Sequence, residues 1–350
     1  VLRLNVPVEQ SHRPHPLFQR CRDRQVQPHP LRVDAAAADG LVRVQVEVAA
    51  RRLDKALESV DVRDGPPVEI VRRLLRTPGI DALQGTLLAV PIVNAFGFMN
   101  HSRYLPDRRD LNRIFPGSAQ GSLAGRLANI FFQEVVLRSN FGVDLHSAAI
   151  HRTNLPQIRI SPGKPETMEL AAAFGAPFIL TSSLREGSLR QAAAQNNIDI
   201  LLYEAGESLR FDENAVRTGV TGILRVMHQL GMISGKRISK PKAIPIRSNA
   251  SNWQRAPAGG LLRTFKTIGE EVAKGTVLGI VADPFGDAET EISAEYGGLI
   301  IGRTNLPIIN EGDGLFHIAR ITKADNAEAT IDSLATQLEV DPLFDEDEII

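Results

Sequence analysis

The feature that most restricts the fold is an alternation of apolar runs and amphipathic stretches between Pro66 and Gly231. Gly85–Val93 is a nearly unbroken apolar run, Val143–His146 a shorter one, and Ile198–Tyr203 a strong third. Such runs suit strands that meet no water on either face. Gln157–Ile160 and Pro177–Thr181 read as further strands. Between them lie helical stretches. Val68–Leu75 has an apolar face and stops at Thr77-Pro78-Gly79, while Ser122 caps a stretch in which Leu123, Leu127, Ile130, Phe131 and Val135 share a face. Glu166–Phe174 and Ser188–Ala194 are shorter helices. Asp212 caps a long one, with Val216, Val220, Ile223, Leu224, Met227 and Leu230 inward and Gly231 as its terminator. Strands and helices in this order predict an α/β fold: a mixed sheet with helices on both faces.

That pattern occupies residues 66–240, and the flanks differ from it. Residues 1–65 are rich in Arg, Pro and His and form an atypical N-terminal region. Leu41–Val48 is its one clean alternating strand, and Arg51–Val60 a short amphipathic helix. Residues 241–258 are polar, with Pro241, Pro245 and Pro257, and read as a linker. Residues 259–323 carry short apolar strands punctuated by glycine with no helical period, which predicts a small all-β domain. After Lys323 no basic residue remains, and 324–350 reads as a solvated acidic tail ending in Asp345-Glu346-Asp347-Glu348.

Forty basic residues against forty-one acidic leave a formal charge of −1, so no overall field draws the chain to nucleic acid or a membrane surface. The single cysteine, Cys21, excludes an internal disulfide and fits a reducing compartment. No apolar run approaches the roughly eighteen residues of a membrane span, and no charged-then-apolar leader opens the chain. A soluble, cytoplasmic protein is expected, with a homo-oligomer left open.

In open α/β sheets, ligand groups collect beyond the carboxyl ends of the strands. Asn94, His146 and Glu204 share that address. The loop His101–Gly117, which follows the first apolar run, adds Arg103, Arg108, Arg109, Asn112 and Arg113. A guanidinium donates two parallel hydrogen bonds to a carboxylate, and a strand-terminal histidine beside an aspartate suits a metal ligand or general base. Alone, Arg108 and Arg109 read as solvated loop and His146 as a satisfied histidine. Together with the neighbouring segment they point to a small anionic ligand. His151 reads as a loop histidine, Trp253 as a packing residue and His317 as a strand residue. No glycine-rich phosphate loop precedes a helix, and no basic-aromatic alternation suggests nucleic acid.

Asp110-Leu111-Asn112-Arg113-Ile114-Phe115-Pro116-Gly117, followed by Asp144-Leu145-His146 and Tyr203-Glu204-Ala205-Gly206, resembles the succinylglutamate desuccinylase/aspartoacylase family. Members are amidohydrolases on the zinc carboxypeptidase fold. The likeness runs from about Pro66 to Ile233, and the glycine-rich β region resembles the family's C-terminal barrel. It also resembles lipoyl and biotinyl carrier domains, but Asp287-Ala288-Glu289-Thr290 offers no lysine to modify. The family resemblance implies a zinc-dependent hydrolase of a linear amide, with one zinc per chain and an N-acyl amino acid or similar small carboxylate as substrate. Carried over by position, His146 matches the last zinc ligand and Glu204 the catalytic carboxylate. Asn112 and Arg113 match the pair that binds the substrate, Arg103 the arginine on the scissile carbonyl, and Arg190 a second carboxylate clamp. These roles suit the chemistry. Zinc brings the pKa of bound water to about 7, a glutamate can relay its proton to the leaving amine, and an arginine stabilises the developing oxyanion.

One part of the family pattern is missing. The first two zinc ligands should come from a His-Gly-Asp-Glu type loop ahead of the helix at Pro67–Leu75, yet no histidine lies between His29 and His101. Glu58, Asp61 and Asp64 are nearby carboxylates that no spacing singles out. Three readings follow: ligands from His12, His15 or His29; a metal-free pseudoenzyme binding an anion through Asn112 and Arg113; or an altered N-terminal region before an ordinary family member. The abrupt change of pattern near Pro66 favours the third.

Overall fold

A computed structural model describes residues 2–5, 65–241, 243–321 and 331. The strand and helix read at Leu41–Val48 and Arg51–Val60 lie outside the described residues. So do Cys21, the histidines and carboxylates weighed as upstream ligands, and the acidic tail apart from Ile331.

Helix α1 (Pro66–Arg76) begins with two prolines, at positions where a missing N–H leaves no bond unmade, and buries Ile70, Val71 and Leu74. Strand β1 (Leu2–Asn5) lies antiparallel between β2 (Thr86–Ala89) and β3 (Phe141–Ala148). β2 is shorter than its apolar run because Pro91 has no N–H for a ladder. A short α2 (Ala95–Met99) opens the following loop. Ser122 caps α3 (Leu123–Phe131) by accepting from Gly125 N at 3.2 Å. A π-helical turn at Phe132–Val136 then shifts the buried face to Ala128, Phe131, Phe132 and Val136, leaving Ile130 61 % exposed rather than inward as expected.

β4 (Arg152–Ile160), α4 (Pro165–Phe174), β5 (Phe178–Thr181), α5 (Leu189–Gln195), β6 (Asp199–Glu207) and α6 (Glu213–Gln229) complete the alternation. β3 and β6 run parallel, β4 lies antiparallel on the other side of β6, and β5 pairs parallel with β4. The sheet is mixed, as expected. Strand alternation divides its faces. Val143, Leu145, Ile158, Ile160, Leu201 and Tyr203 pack with Ile70 and Leu74 of α1, Phe174 of α4 and the apolar stripe of α6 in one core. Their neighbours Asp144, His146, Gln157, Arg159 and Glu204 therefore fall on the opposite face. A second core containing Phe131, Leu189 and Ile200 covers the amino-terminal part of that face and leaves the carboxyl end polar.

Phe174 and Tyr203, both fully buried, meet at 5.1 Å between ring centroids, and the Tyr203 hydroxyl donates to Ala215 O at 2.7 Å. Phe174→Ala is expected to lower unfolding stability by about 3–5 kcal/mol in urea titration. A loss below about 1 kcal/mol would show that α4 is not anchored there.

Strands β7 (Ile246–Ser248) and β8 (Ser251–Arg255) fall in the stretch read as a linker. Beyond them come β9 (Gly260–Thr264), β10 (Glu271–Val272), β11 (Val277–Ala282), β12 (Glu289–Ser293), β13 (Gly298–Thr304), β14 (Ile308–Ile309) and β15 (Gly314–Ala319). β12, β11, β9 and β14 form a second, four-stranded sheet, which accords with part of the all-β expectation. β13, β15 and β8 instead continue the main sheet. The reason is the length of β4: its carboxyl half, Gln157–Ile160, pairs with β5, while Arg152–Asn154 at its other end pairs with β13. No described helix is long and apolar enough to cross a membrane.

Candidate active site

At the carboxyl ends of β3 and β6, His146 and Glu204 are register partners. His146 Nε2 lies 3.2 Å from Asp144 Oδ2, with Asp144 nearly sealed from solvent and His146 half-buried. Burial is the largest influence on the imidazole and opposes its charge. The Asp144 carboxylate, by charge and hydrogen bond, together with Glu204, outweighs it, so the His146 pKa is raised. Glu204 Oε2 accepts from Asn154 Nδ2 at 2.8 Å and pairs with Arg159 Nη2 at 3.0 Å. Both contacts fall on the same oxygen.

The arginine loop approaches this face. Arg103, about half exposed, sets Nε and Nη2 at 2.9 and 2.8 Å from Asp110 Oδ2, and its charge is felt at His146. Asn94 caps α2 by accepting from Gly97 N and donates to Arg103 O at 3.3 Å, so it supports the loop. Asp110 Oδ1 accepts from Asn112 N, and Asn112 Oδ1 accepts from Leu189 N at the start of α5, at 2.9 Å. Exposed Arg113 turns Nη1 back to Asn112 O at 2.5 Å. Phe115 N donates to Gly187 O at 2.9 Å, so the 112–115 segment is stapled to the loop before α5. On α5, Arg190 Nη2 donates to Ser182 Oγ at 3.1 Å, while its buried Nη1 has no hydrogen-bond partner among the described residues. Burial, then the like charge of Arg159, lowers the Arg190 pKa, against the pull of Asp144 and Glu204. A buried guanidinium nitrogen without a partner favours an incoming anion.

Residues 65–230 match the succinylglutamate desuccinylase/aspartoacylase catalytic domain. Over that stretch the chain resembles this family. A curated relative, the N-alpha-acetyl-L-2,4-diaminobutyric acid deacetylase of Halomonas elongata, is 26 % identical over 254 residues, 69 % of this chain and 74 % of that protein. The crystal structure of a succinylglutamate desuccinylase/aspartoacylase from Rhodobacter sphaeroides superposes with a TM-score of 0.66 at 23 % identity, covering 75 % of this chain and 84 % of that one. The product-bound ectoine utilization protein EutE (DoeB) of Ruegeria pomeroyi gives 0.66 at 22 %, covering 74 % and 82 %. These two likenesses establish a shared fold.

The desuccinylase/aspartoacylase resemblance raises the question of zinc. Asp144 behind His146 is the arrangement that usually orients a metal-ligating histidine. Catalytic zinc, however, usually takes three protein ligands, and among the described residues no group of three or more His, Cys, Asp or Glu side chains could hold a metal ion. The described residues do not by themselves make up a zinc site.

Of the residues expected at a desuccinylase-type site, His146 and Glu204 come together, with Arg103 and Arg190 within electrostatic reach of them. Asn112 and Arg113 sit on the flanking loop with an Asn112 oxygen and an Arg113 nitrogen already engaged. Sequence reasoning missed Asn154 and Arg159, the two residues that grip Glu204. The available signal was Arg152–Ile160, where polar residues alternate with Leu155, Ile158 and Ile160 in a strand deep in the sheet. A buried mid-sheet strand carrying Asn154, Gln157 and Arg159 needs partners for them, and Glu204 is one.

Proposed function

We propose that this chain is a member of the desuccinylase/aspartoacylase family and hydrolyses a linear amide, removing the acyl group from an N-acyl amino acid or a similar small carboxylate. The observation that carries this reading is the placement of Glu204 beside the His146–Asp144 pair, with the unpartnered nitrogen of Arg190 within reach of the same charges. Glu204, held by one oxygen, has Oε1 available to take a proton from attacking water and return it to the leaving amine. Arg103, exchanging Asp110 for substrate, would donate to the carbonyl oxygen as negative charge develops there. Arg190 supplies the charge that holds a substrate carboxylate. Asn112 and Arg113 take the carboxylate-binding roles of their family counterparts, which requires both side chains to turn from their present partners. The curated relative, named as a deacetylase, favours turnover over anion binding without it. The relatives support the substrate class: the Halomonas elongata protein is named for deacetylating an N-acetyl amino acid.

Release of free amino acid from a panel of N-acetyl and N-succinyl amino acids is the direct test. Turnover that tracks protein concentration is expected, and none on any member would sink the reading. Zinc enters through the family, with His146 as the described residue that would hold it. Because the sequence has no histidine between His29 and His101, purified protein is expected to hold less than one zinc per chain by mass spectrometry, and His146→Ala to hold none. One tightly held zinc in the wild type would mean that ligands outside the described residues complete the site.

A further inference from the structure

Glu204 is gripped by Asn154, and what fixes Asn154 lies in the C-terminal part of the chain. Across one face of the main sheet, Asn154 on β4, Gly302 on β13, His317 on β15 and Trp253 on β8 are successive register neighbours. The Asn154 amide is bounded on two sides. Its Nδ2 donates to Glu204 Oε2, and its Oδ1 lies where a side chain at residue 302 would begin: a Cβ there would be 2.6 Å from Oδ1 and 3.4 Å from His317 Cβ. Glycine at 302 is thus a requirement of close approach. His317 cannot easily withdraw, because its ring stacks on Trp253 at 4.9 Å and 7°, and its Nε2 lies 2.9 Å from Ser251 Oγ. The Trp253 ring in turn has the Arg152 guanidinium 4.8 Å from its centroid. The amide has one favourable orientation, since a flip would set Oδ1 against the Glu204 carboxylate.

We propose that Asn154, seated over the side-chain-free Gly302, is a positioning residue for Glu204, so that the C-terminal strands set the orientation of the carboxylate. The proposal rests on the hydrolase reading for the role of Glu204 and extends it to β13 and β15, which lie outside the matched catalytic domain. Arg159 neutralises the carboxylate but sits on a long side chain with several rotatable bonds. The short amide, wedged between Gly302 and Glu204, is what holds Oε2 and leaves Oε1 for the attacking water.

The decisive variant is Asn154→Asp, which keeps shape and volume but replaces the donor with an acceptor. A purely structural role would lower the melting temperature, since two carboxylates then meet, but leave kcat per folded molecule unchanged. Under positioning, kcat on an N-acyl amino acid falls about 10- to 100-fold with KM little changed, as for a misplaced catalytic group. Gly302→Ala, which drives a methyl into Asn154 Oδ1, should lower kcat similarly, yet have no further effect in the Asn154→Ala background, where the clashing atom is gone. Wild-type kcat in Asn154→Asp, or a full additional loss from Gly302→Ala in that background, overturns the proposal. Should Gly302→Ala fail to fold, Asn154→Asp decides alone. If the wild-type chain turns over no substrate, the hydrolase reading fails separately, and the seat is read from urea unfolding of Asn154→Ala, Glu204→Ala and the double variant. Non-additive midpoints sustain the coupling, and additive ones refute it.

Discussion

Glu204→Gln is expected to reduce kcat by about 10²- to 10⁴-fold, the range for loss of a general acid–base group, with KM and the folded state largely retained. Glutamine has the same length and can still accept from Asn154 Nδ2 and Arg159 Nη2, so neither donor is left without a partner. What disappears is the ability to take and return a proton. The change also removes the charge that balances Arg159, whose side chain is only 20 % exposed. A hydrogen bond to a charged group contributes about 1.5–3 kcal/mol, so the melting temperature should fall by a few degrees. Glu204→Ala should lower it further, because Asn154 and Arg159 would then both lack an acceptor. Steady-state kinetics and thermal melts on the two variants separate chemistry from folding. If Glu204→Gln keeps more than about a tenth of the wild-type kcat, the proton relay lies elsewhere and the assignment of Glu204 falls.

Much of the domain was legible because its signals are local. The proline-opened α1, the Ser122 and Asp212 caps and the stripe of α6 each depend on residues within a few positions of one another, and each is found where the pattern placed it. Element lengths were read less well. Val143–His146 lengthens to Phe141–Ala148, and Gln157–Ile160 to Arg152–Ile160, because pairing with a neighbouring strand extends a strand past its apolar run. The same non-local effect hid the grip on Glu204. Nothing in residues 152–160 announces that Asn154 will face a carboxylate fifty positions later, and nothing in Gly302 announces that it seats Asn154. His146 and Glu204 stand out in the sequence because each follows an apolar run. The residues that orient Glu204 are marked only as polar side chains in a buried strand that need partners, and which partners they meet is set by strand order. The incorporation of β13, β15 and β8 into the main sheet escaped for the same reason: glycine-rich strands look alike whether they close on themselves or join another sheet's edge.

Gly187→Ala is expected to lower kcat/KM about 100-fold, mainly through KM, and to destabilise the chain more than the same change at a glycine of similar conformation. Gly187 has φ +69°, where an L side chain is strained, and its added Cβ would sit 2.2 Å from Arg113 O and 2.6 Å from Arg113 C. These are backbone atoms, so no rotamer change relieves the contact and the two loops must part. Separation would weaken Phe115 N to Gly187 O and Leu189 N to Asn112 Oδ1, each 2.9 Å, which are the staples between the arginine loop and α5. Asn112, Arg113 and Arg190 would then lose their common frame, and a displacement of about 1 Å in such a frame can lower activity about 100-fold. Gly79 provides the control. Its φ is +84°, but nothing lies within 4 Å of an added Cβ, so Gly79→Ala reports the backbone strain alone, of order 1–3 kcal/mol. The stability lost by Gly187→Ala beyond that control measures the clash, and the rise in KM measures what the staple does for substrate. Equal melting temperatures for the two variants, with a wild-type KM for Gly187→Ala, would mean that the arginine loop does not need α5 to hold it in place.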